Sequence, residues 1–291
     1  YLRYVPYNNI DDVFRVSNLL FNNADIDKME VTYPHLFQHL WTMREELIPY
    51  LPTIEKCLLE FDFENDKFYL VKEAVDEIEY ILKAFNEPNF AKDVNALIIK
   101  YCIPYRPNNP FKDLYFHLLP KYQDIILDDI MKALTLPFEQ SMFYFNMRYE
   151  LGSGFGYGAG PLFQCDNDRL KNACKEFPNI LPERLADMCP VCNFEKNGKQ
   201  MELSDFFIWL VNNYGDNEKV LQSLSSNFGT YSYTGVGSMK GYYMDRQNMF
   251  KPLLRHENPK VANWAKNMYK AEEQEVNYQQ MMDDYRDMTK G

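Results

Sequence analysis

The sequence predicts an all-α protein built of stacked, paired helices, and three stretches carry that prediction. From Lys67 to Phe85, the side chains Val71, Val75, Ile78, Leu82 and Phe85 recur on one side of a helix, with Glu73, Asp76, Glu77 and Glu79 mostly away from it. Leu203, Phe206, Phe207, Leu210, Val211 and Tyr214 form a second, nearly ideal stripe, with Gly215 as its stop. In the third, Asn258 can cap, and Pro259 suits the first helical position because it lacks the N–H that goes unpaired there. Val261, Trp264, Ala265 and Met268 then follow at the spacing of one apolar face. Strand-like alternation is scarce along the whole chain.

In chain order, the first helix is expected from about Ile10 to Phe21, with Val13, Phe14 and Leu20 on one side behind Asn8 and Asn9. The next begins at Pro34, where Leu36, Leu40, Met43 and Leu47 align behind a Thr32 cap. Pro49 and Pro52 break into a helix around Ile54 to Phe61. After the long helix Lys67 to Phe85 comes a shorter one, Phe90 to Tyr101, then a loop punctuated by Pro104, Pro107 and Pro110. Helices resume at Phe111 to Leu118, Tyr122 to Leu134 and Phe138 to Tyr149. The stretch Leu151 to Pro161 carries glycine at 152, 154, 156, 158 and 160 and reads as a hinge between an N-terminal array, 1–150, and a C-terminal one, 162–291. Beyond it, helices are expected at Leu162 to Glu176, Pro182 to Ala186, Leu203 to Tyr214, Glu218 to Asn227 and Tyr242 to Leu254. The last either continues beyond Tyr269 or restarts near Glu272, with Tyr278, Met281, Met282, Tyr285 and Met288 on one face of an acidic segment.

Helices of roughly 12 to 20 residues with short breaks match helix-turn-helix solenoids, although no repeat of strict period is found. The segment from Leu203 to Lys270 resembles HEAT-type α-helical repeats, chiefly through Leu-Leu-Arg-His-Glu-Asn-Pro-Lys-Val-Ala-Asn-Trp-Ala at 253–265. The resemblance places Pro259 at the turn before the second helix, and Val261 and Ala265 where such repeats pack together. It implies an irregular HEAT-like α-solenoid that recognises proteins on a curved helical surface, often as part of a larger multidomain protein. The N-terminal part departs from the pattern in its irregular lengths and large aromatics.

Charge narrows the partners. The 291 residues include 42 acidic and 31 basic side chains, a formal charge of -11, so a diffuse field repels nucleic acid and anionic lipid. No run of Lys and Arg reads as a phosphate-tracking stripe. No apolar run approaches the roughly 18 to 20 residues that span a bilayer, and Tyr1 to Tyr7 lacks the apolar centre of a signal peptide. A cytoplasmic protein is expected, and six cysteines are too sparse for a disulfide scaffold. The 22 Tyr and 21 Phe point to large packing residues between helices or to a sticky surface.

Several motifs invite chemistry. Cys189-Pro190-Val191-Cys192 places two thiols at a spacing that binds metal, and Cys165 and Cys174 would complete a four-sulfur zinc site, although the overall spacing is not that of paired zinc knuckles. Unconnected structural cysteines are the competing reading. His35 and His39 lie one helical turn apart but lack the Glu of a zinc-protease signature; His117 and His256 are isolated. The glycine run has no Gly-Lys-Ser or Gly-Lys-Thr after it, and no Gly-x-Ser-x-Gly elbow is present. The segment Asn227 to Ser238 interrupts the helical rhythm with aromatics and hydroxyls between glycines. Tyr231 and Tyr233 within it are therefore contact candidates, with Tyr242 and Trp264 as neighbours. The expected function is noncatalytic docking to another protein, or to another domain of the same full-length chain, with no cofactor. The alternative is a zinc-stabilised domain or metal-dependent enzyme built on the four cysteines.

Overall fold

Amphipathic periodicity becomes helix through most of the computed structural model, which describes residues 48, 51–64, 68–152, 160–193, 202–230 and 239–289. The expected helices before Pro49, with His35 and His39, lie outside the described residues, as do Tyr231 and Tyr233. The described chain is predominantly helical, with one two-residue β-ladder among its described residues. No described helix is long and apolar enough to cross a membrane. The chain forms two compact units, one comprising residues 1–102 and 106–127, the other 103–105 and 128–291.

The first unit contains α1 (Leu51–Leu59), α2 (Phe68–Ala84), α3 (Pro88–Tyr101) and the start of α4 (Tyr115–Thr135). Ile54 and Leu58 of α1, Ala74, Ile78 and Leu82 of α2, and Val94 and Ile98 of α3 are buried at helical spacing. Phe111 seals one end, its ring 4.8 Å from Phe63 and 5.1 Å from Tyr101. Within α3, buried Asn95 accepts the Tyr115 hydroxyl at 2.9 Å. The spacing that separates Phe111–Leu118 from Tyr122–Leu134 matches the structure there: two helical segments of α4 meet just after Pro120 at a kink where Tyr122 leaves helical geometry (φ -126°, ψ 15°). Proline removes a donor and bends the chain, and the Tyr122 hydroxyl anchors the bend by donating to Phe85 O and accepting from Glu87 N, each at 3.2 Å.

The second unit holds α5 (Phe143–Leu151), a 3₁₀ turn at Pro161–Gln164, α6 (Asn167–Glu176) and α7 (Leu181–Met188). The pair β1 (Cys192–Asn193) and β2 (Glu202–Leu203) follows, antiparallel with Cys192 opposite Leu203. Then come α8 (Asp205–Tyr214), α9 (Glu218–Thr230), α10 (Lys240–Met249), a 3₁₀ turn at Lys251–Arg255 and α11 (Pro259–Met288). Helix α7 packs on α5, α8 and α9; α8 and α9 form a hairpin; α10 packs along α11, which also touches α9. The two ends of the glycine-rich stretch are in contact: a Cβ at Gly160 would fall 1.8 Å from Gly152 O, so only glycine permits that approach. The rest of that stretch, 153–159, lies outside the described residues.

The C-terminal motif folds as its local chemistry directs. Asn258 Oδ1 accepts the Lys260 N–H at 2.9 Å, Pro259 opens α11, and Val261 and Ala265 are fully buried. His256, given no role from sequence, fixes the turn before the cap. Its Nδ1 accepts Asn258 N at 3.0 Å, which leaves Nε2 to donate to Asn212 Oδ1 at 3.1 Å. The α8 stop is tight as well, since a Cβ on Gly215 would meet Val261 Cγ2 at 2.3 Å. Helix α11 is continuous to Met288, without a restart at Glu272.

Candidate functional site

Three successive aromatics, Phe143, Tyr144 and Phe145, sweep about 200° around a helix, so one burial face cannot hold them all. In α5 the stripe Phe143, Met147 and Leu151 points inward and is fully buried. Phe145 and Tyr149, one turn apart on another side, remain exposed. Phe138 joins them from the preceding loop, its ring edge-on to Phe145 at 5.2 Å, and is itself exposed. The start of α5 is set by buried Ser141, whose Oγ accepts Phe143 N at 3.1 Å.

An arginine binds this surface together. The Arg148 guanidinium stacks over Tyr149 at 4.5 Å and reaches Phe145 at 5.7 Å, while donating to the Tyr149 hydroxyl at 2.7 Å. Asp187 on α7 holds it from behind at 3.3 Å and also accepts the Tyr144 hydroxyl at 2.5 Å. Burial, with the Asp187 carboxylate next, pushes the Tyr144 hydroxyl well above its ordinary range, so it stays a donor. Alongside runs Ile103–Tyr105, tethered by Met142 N to Ile103 O at 2.7 Å and by Asn146 Nδ2 to Pro104 O at 2.7 Å. Ile103 and Tyr105 are exposed too. Sequence reading assigned Phe138–Tyr149 to a helix without separating its two faces; the Phe143–Phe145 run was the signal.

Of the contact candidates singled out from sequence, Trp264 and Tyr242 are among the described residues, and they lie elsewhere. Trp264 is half-buried, donates its indole N–H to Ser225 Oγ at 2.8 Å, and packs edge-on to Phe250 at 5.6 Å. Tyr242 accepts from Arg246 Nη1 at 3.1 Å and lies beside Tyr243, rings 5.3 Å apart. Arg246 is the centre of a buried node, 5% exposed, making a two-pronged pair with Glu272 (6% exposed) at 2.8 and 2.9 Å. It also donates to Phe228 O at 3.2 Å and covers the Phe228 ring at 4.1 Å. The node ties α9, α10 and α11 together. It has the satisfied polar partners of a structural clamp.

The cysteines of the motif are buried among apolar side chains, with Cys174 close enough to Cys189 to bear on its thiol. Among the described residues, no group of three or more His, Cys, Asp or Glu side chains has the arrangement of a metal site, and Cys165, Cys174, Cys189 and Cys192 are all buried. Cys165 Sγ donates to Pro161 O at 3.5 Å and Cys189 Sγ to Ala186 O at 3.7 Å. Burial pushes the Cys165 thiol up to about 11 and the Cys174 thiol to about 12, and raises Cys189 further, so these groups stay protonated thiols in their apolar surroundings. The Cys189–Cys192 turn is stitched to α8: Ser204 accepts Phe207 N at 3.2 Å as its cap, donates its hydroxyl to Pro190 O, and gives its own N–H to Val191 O at 3.0 Å. Asn227 of α9 then satisfies the end of α7, donating to Ala186 O at 3.0 Å and Cys189 O at 2.7 Å. The spacing that suggested zinc also suits this tight turn between helices.

No protein-family model matches the chain, and no curated protein matches it.

Proposed function

We propose that this protein is a noncatalytic recognition scaffold, an irregular HEAT-like solenoid that docks another protein or another domain of its own full-length chain. The observation that carries the reading is the exposed aromatic surface of α5, with Phe138, Phe145 and Tyr149 gathered around the Arg148 guanidinium. Tyrosine, phenylalanine and arginine are the side chains enriched where proteins bind one another, because they offer large rigid area together with a directional polar tip. Arg148 is already fixed by Asp187, so little conformational freedom is lost when a partner covers it. The net charge of -11 favours a partner of basic character. The packing of α8 with α9, and of α10 with α11, supports the paired-helix reading of the C-terminal half.

The test is affinity purification of the native full-length protein with a Phe145→Ser/Tyr149→Ala variant beside it, read by mass spectrometry. A stoichiometric partner recovered with the native protein and lost with the variant is the expected result. Equal recovery by both rejects the α5 surface, and no specific partner with either rejects recognition by this route.

A further inference from the structure

Helix α11 changes character along its length. Its first half is packed, with Val261, Ala265 and Glu272 buried; from Glu273 to Met288 no residue is fully buried. In that second half Tyr278, Met281, Tyr285 and Met288 follow one another at spacings of three, four and three residues, the interval of a coiled-coil seam. All four face solvent, at 50%, 59%, 65% and 75% exposure, and Met282 beside them is exposed as well. Large apolar side chains in heptad register on an uncovered face are the anchors by which one amphipathic helix holds another.

Charge selects the occupant. Between Glu273 and Met288 the helix carries Glu273, Glu275, Asp283, Asp284 and Asp287 against Arg286 alone, Glu272 being taken up by Arg246. Arg286 is itself paired with Asp283 at 3.6 Å. Asp284 flanks the seam and Asp283 and Asp287 lie on the outer side, so a second copy would bring two acidic helices together in either direction. Lysines 260, 266 and 270 do not relieve this, because the apolar side of that half of α11 is already covered by its own fold. Basic flanks satisfy both the charge and the seam.

We propose that the Tyr278–Met288 face of α11 is a docking seam for a basic amphipathic helix of a partner protein. This rests on the recognition reading and adds to it a second surface and the chemistry of its partner. The interaction is apolar at the seam and charge-assisted at its margins.

The probe is a synthetic helical peptide about three heptads long with Leu and Ile at the seam and Lys at the flanking positions, compared with the same peptide carrying Glu there. The Lys peptide is expected to bind saturably, weakening from about 0.05 M to about 0.5 M salt, while the Glu peptide does not bind. The deciding variant is Met281→Glu/Tyr285→Glu, which makes the helix more acidic while removing the seam. Its affinity for the Lys peptide should fall by about tenfold or more, with helical content and melting unchanged. Affinity kept or increased in that variant would mean attraction by charge alone and overturn the proposal, as would a Lys peptide that fails to bind. A dimer in sedimentation that the variant abolishes would overturn it in favour of a second copy. If the seam fails these tests while the α5 variant still loses its native partner, the docking seam falls and the recognition reading stands.

Discussion

Arg246 and Glu272 stand 26 residues apart in the chain and meet as a buried, two-pronged ion pair. Such a pair costs desolvation that its own hydrogen bonds offset, so losing one partner is worse than losing both. Glu272→Gln or Arg246→Met alone should lower stability by about 3 kcal/mol in urea unfolding, and Arg246→Met/Glu272→Leu by distinctly less than the sum of the two. An additive double variant would show that the pair does not act as a unit. In the first unit, Glu55 has a buried oxygen with no hydrogen-bond partner among the described residues. Burial, then Glu87 and Asp93, raises its carboxyl from 4.5 to about 7. Folding therefore takes up a proton in that window: the stability from this group is present at low pH and is lost as pH rises from 4.5 towards about 7. Glu55→Gln, which stays neutral, should flatten this slope and be more stable than the parent at about pH 8 by about 1 kcal/mol, after discounting for partial solvent exposure. Thermal melts across that range check the sign.

At the scale of elements, the ends of helices were more legible than their partners. Asn258 and Pro259 announced the start of α11, and Ser204 caps α8 in the same way, because a capping side chain acts on backbone only two or three residues on. Gly215 was read as a stop, and the structure adds a packing role, since it lets Val261 of α11 approach the end of α8. Gly215→Ala should therefore destabilise by about 2 kcal/mol, more than an ordinary helix-terminal substitution, with Val261→Ala in the same chain recovering part of the loss. The kink in α4 was legible as the break between Phe111–Leu118 and Tyr122–Leu134, while the contacts that hold it, from Tyr122 to Phe85 and Glu87, come from another helix end. The cysteine motif shows the limit in the other direction. Spacing alone cannot distinguish a ligand pair from a tight turn, and here Ser204 and Asn227 take up the carbonyl groups of that turn.

For the whole molecule, charge and surface composition belong to one prediction. With -11 distributed over the chain, association with a basic partner should be faster and tighter at low salt, and raising ionic strength should slow association more than it speeds dissociation. A salt-independent association rate would remove electrostatics from the recognition mechanism. The two exposed apolar surfaces, on α5 and on α11, differ in kind. One is a cluster of rings around an arginine held by Asp187; the other is a row of Tyr and Met at heptad spacing on an acidic segment.

The sequence by itself determined the helical class of the described chain and, at α8 and α11, where a helix begins and which stripe it buries, because periodicity, capping and proline act within a few residues. It also set the acidic field, which is a property of composition. Tertiary structure alone decided that Phe145 and Tyr149 face outward while Phe143 does not, that Trp264 turns in to Ser225, and that Arg246 meets Glu272. Each of those outcomes depends on a partner from another helix, brought into place only when the stripes pack together.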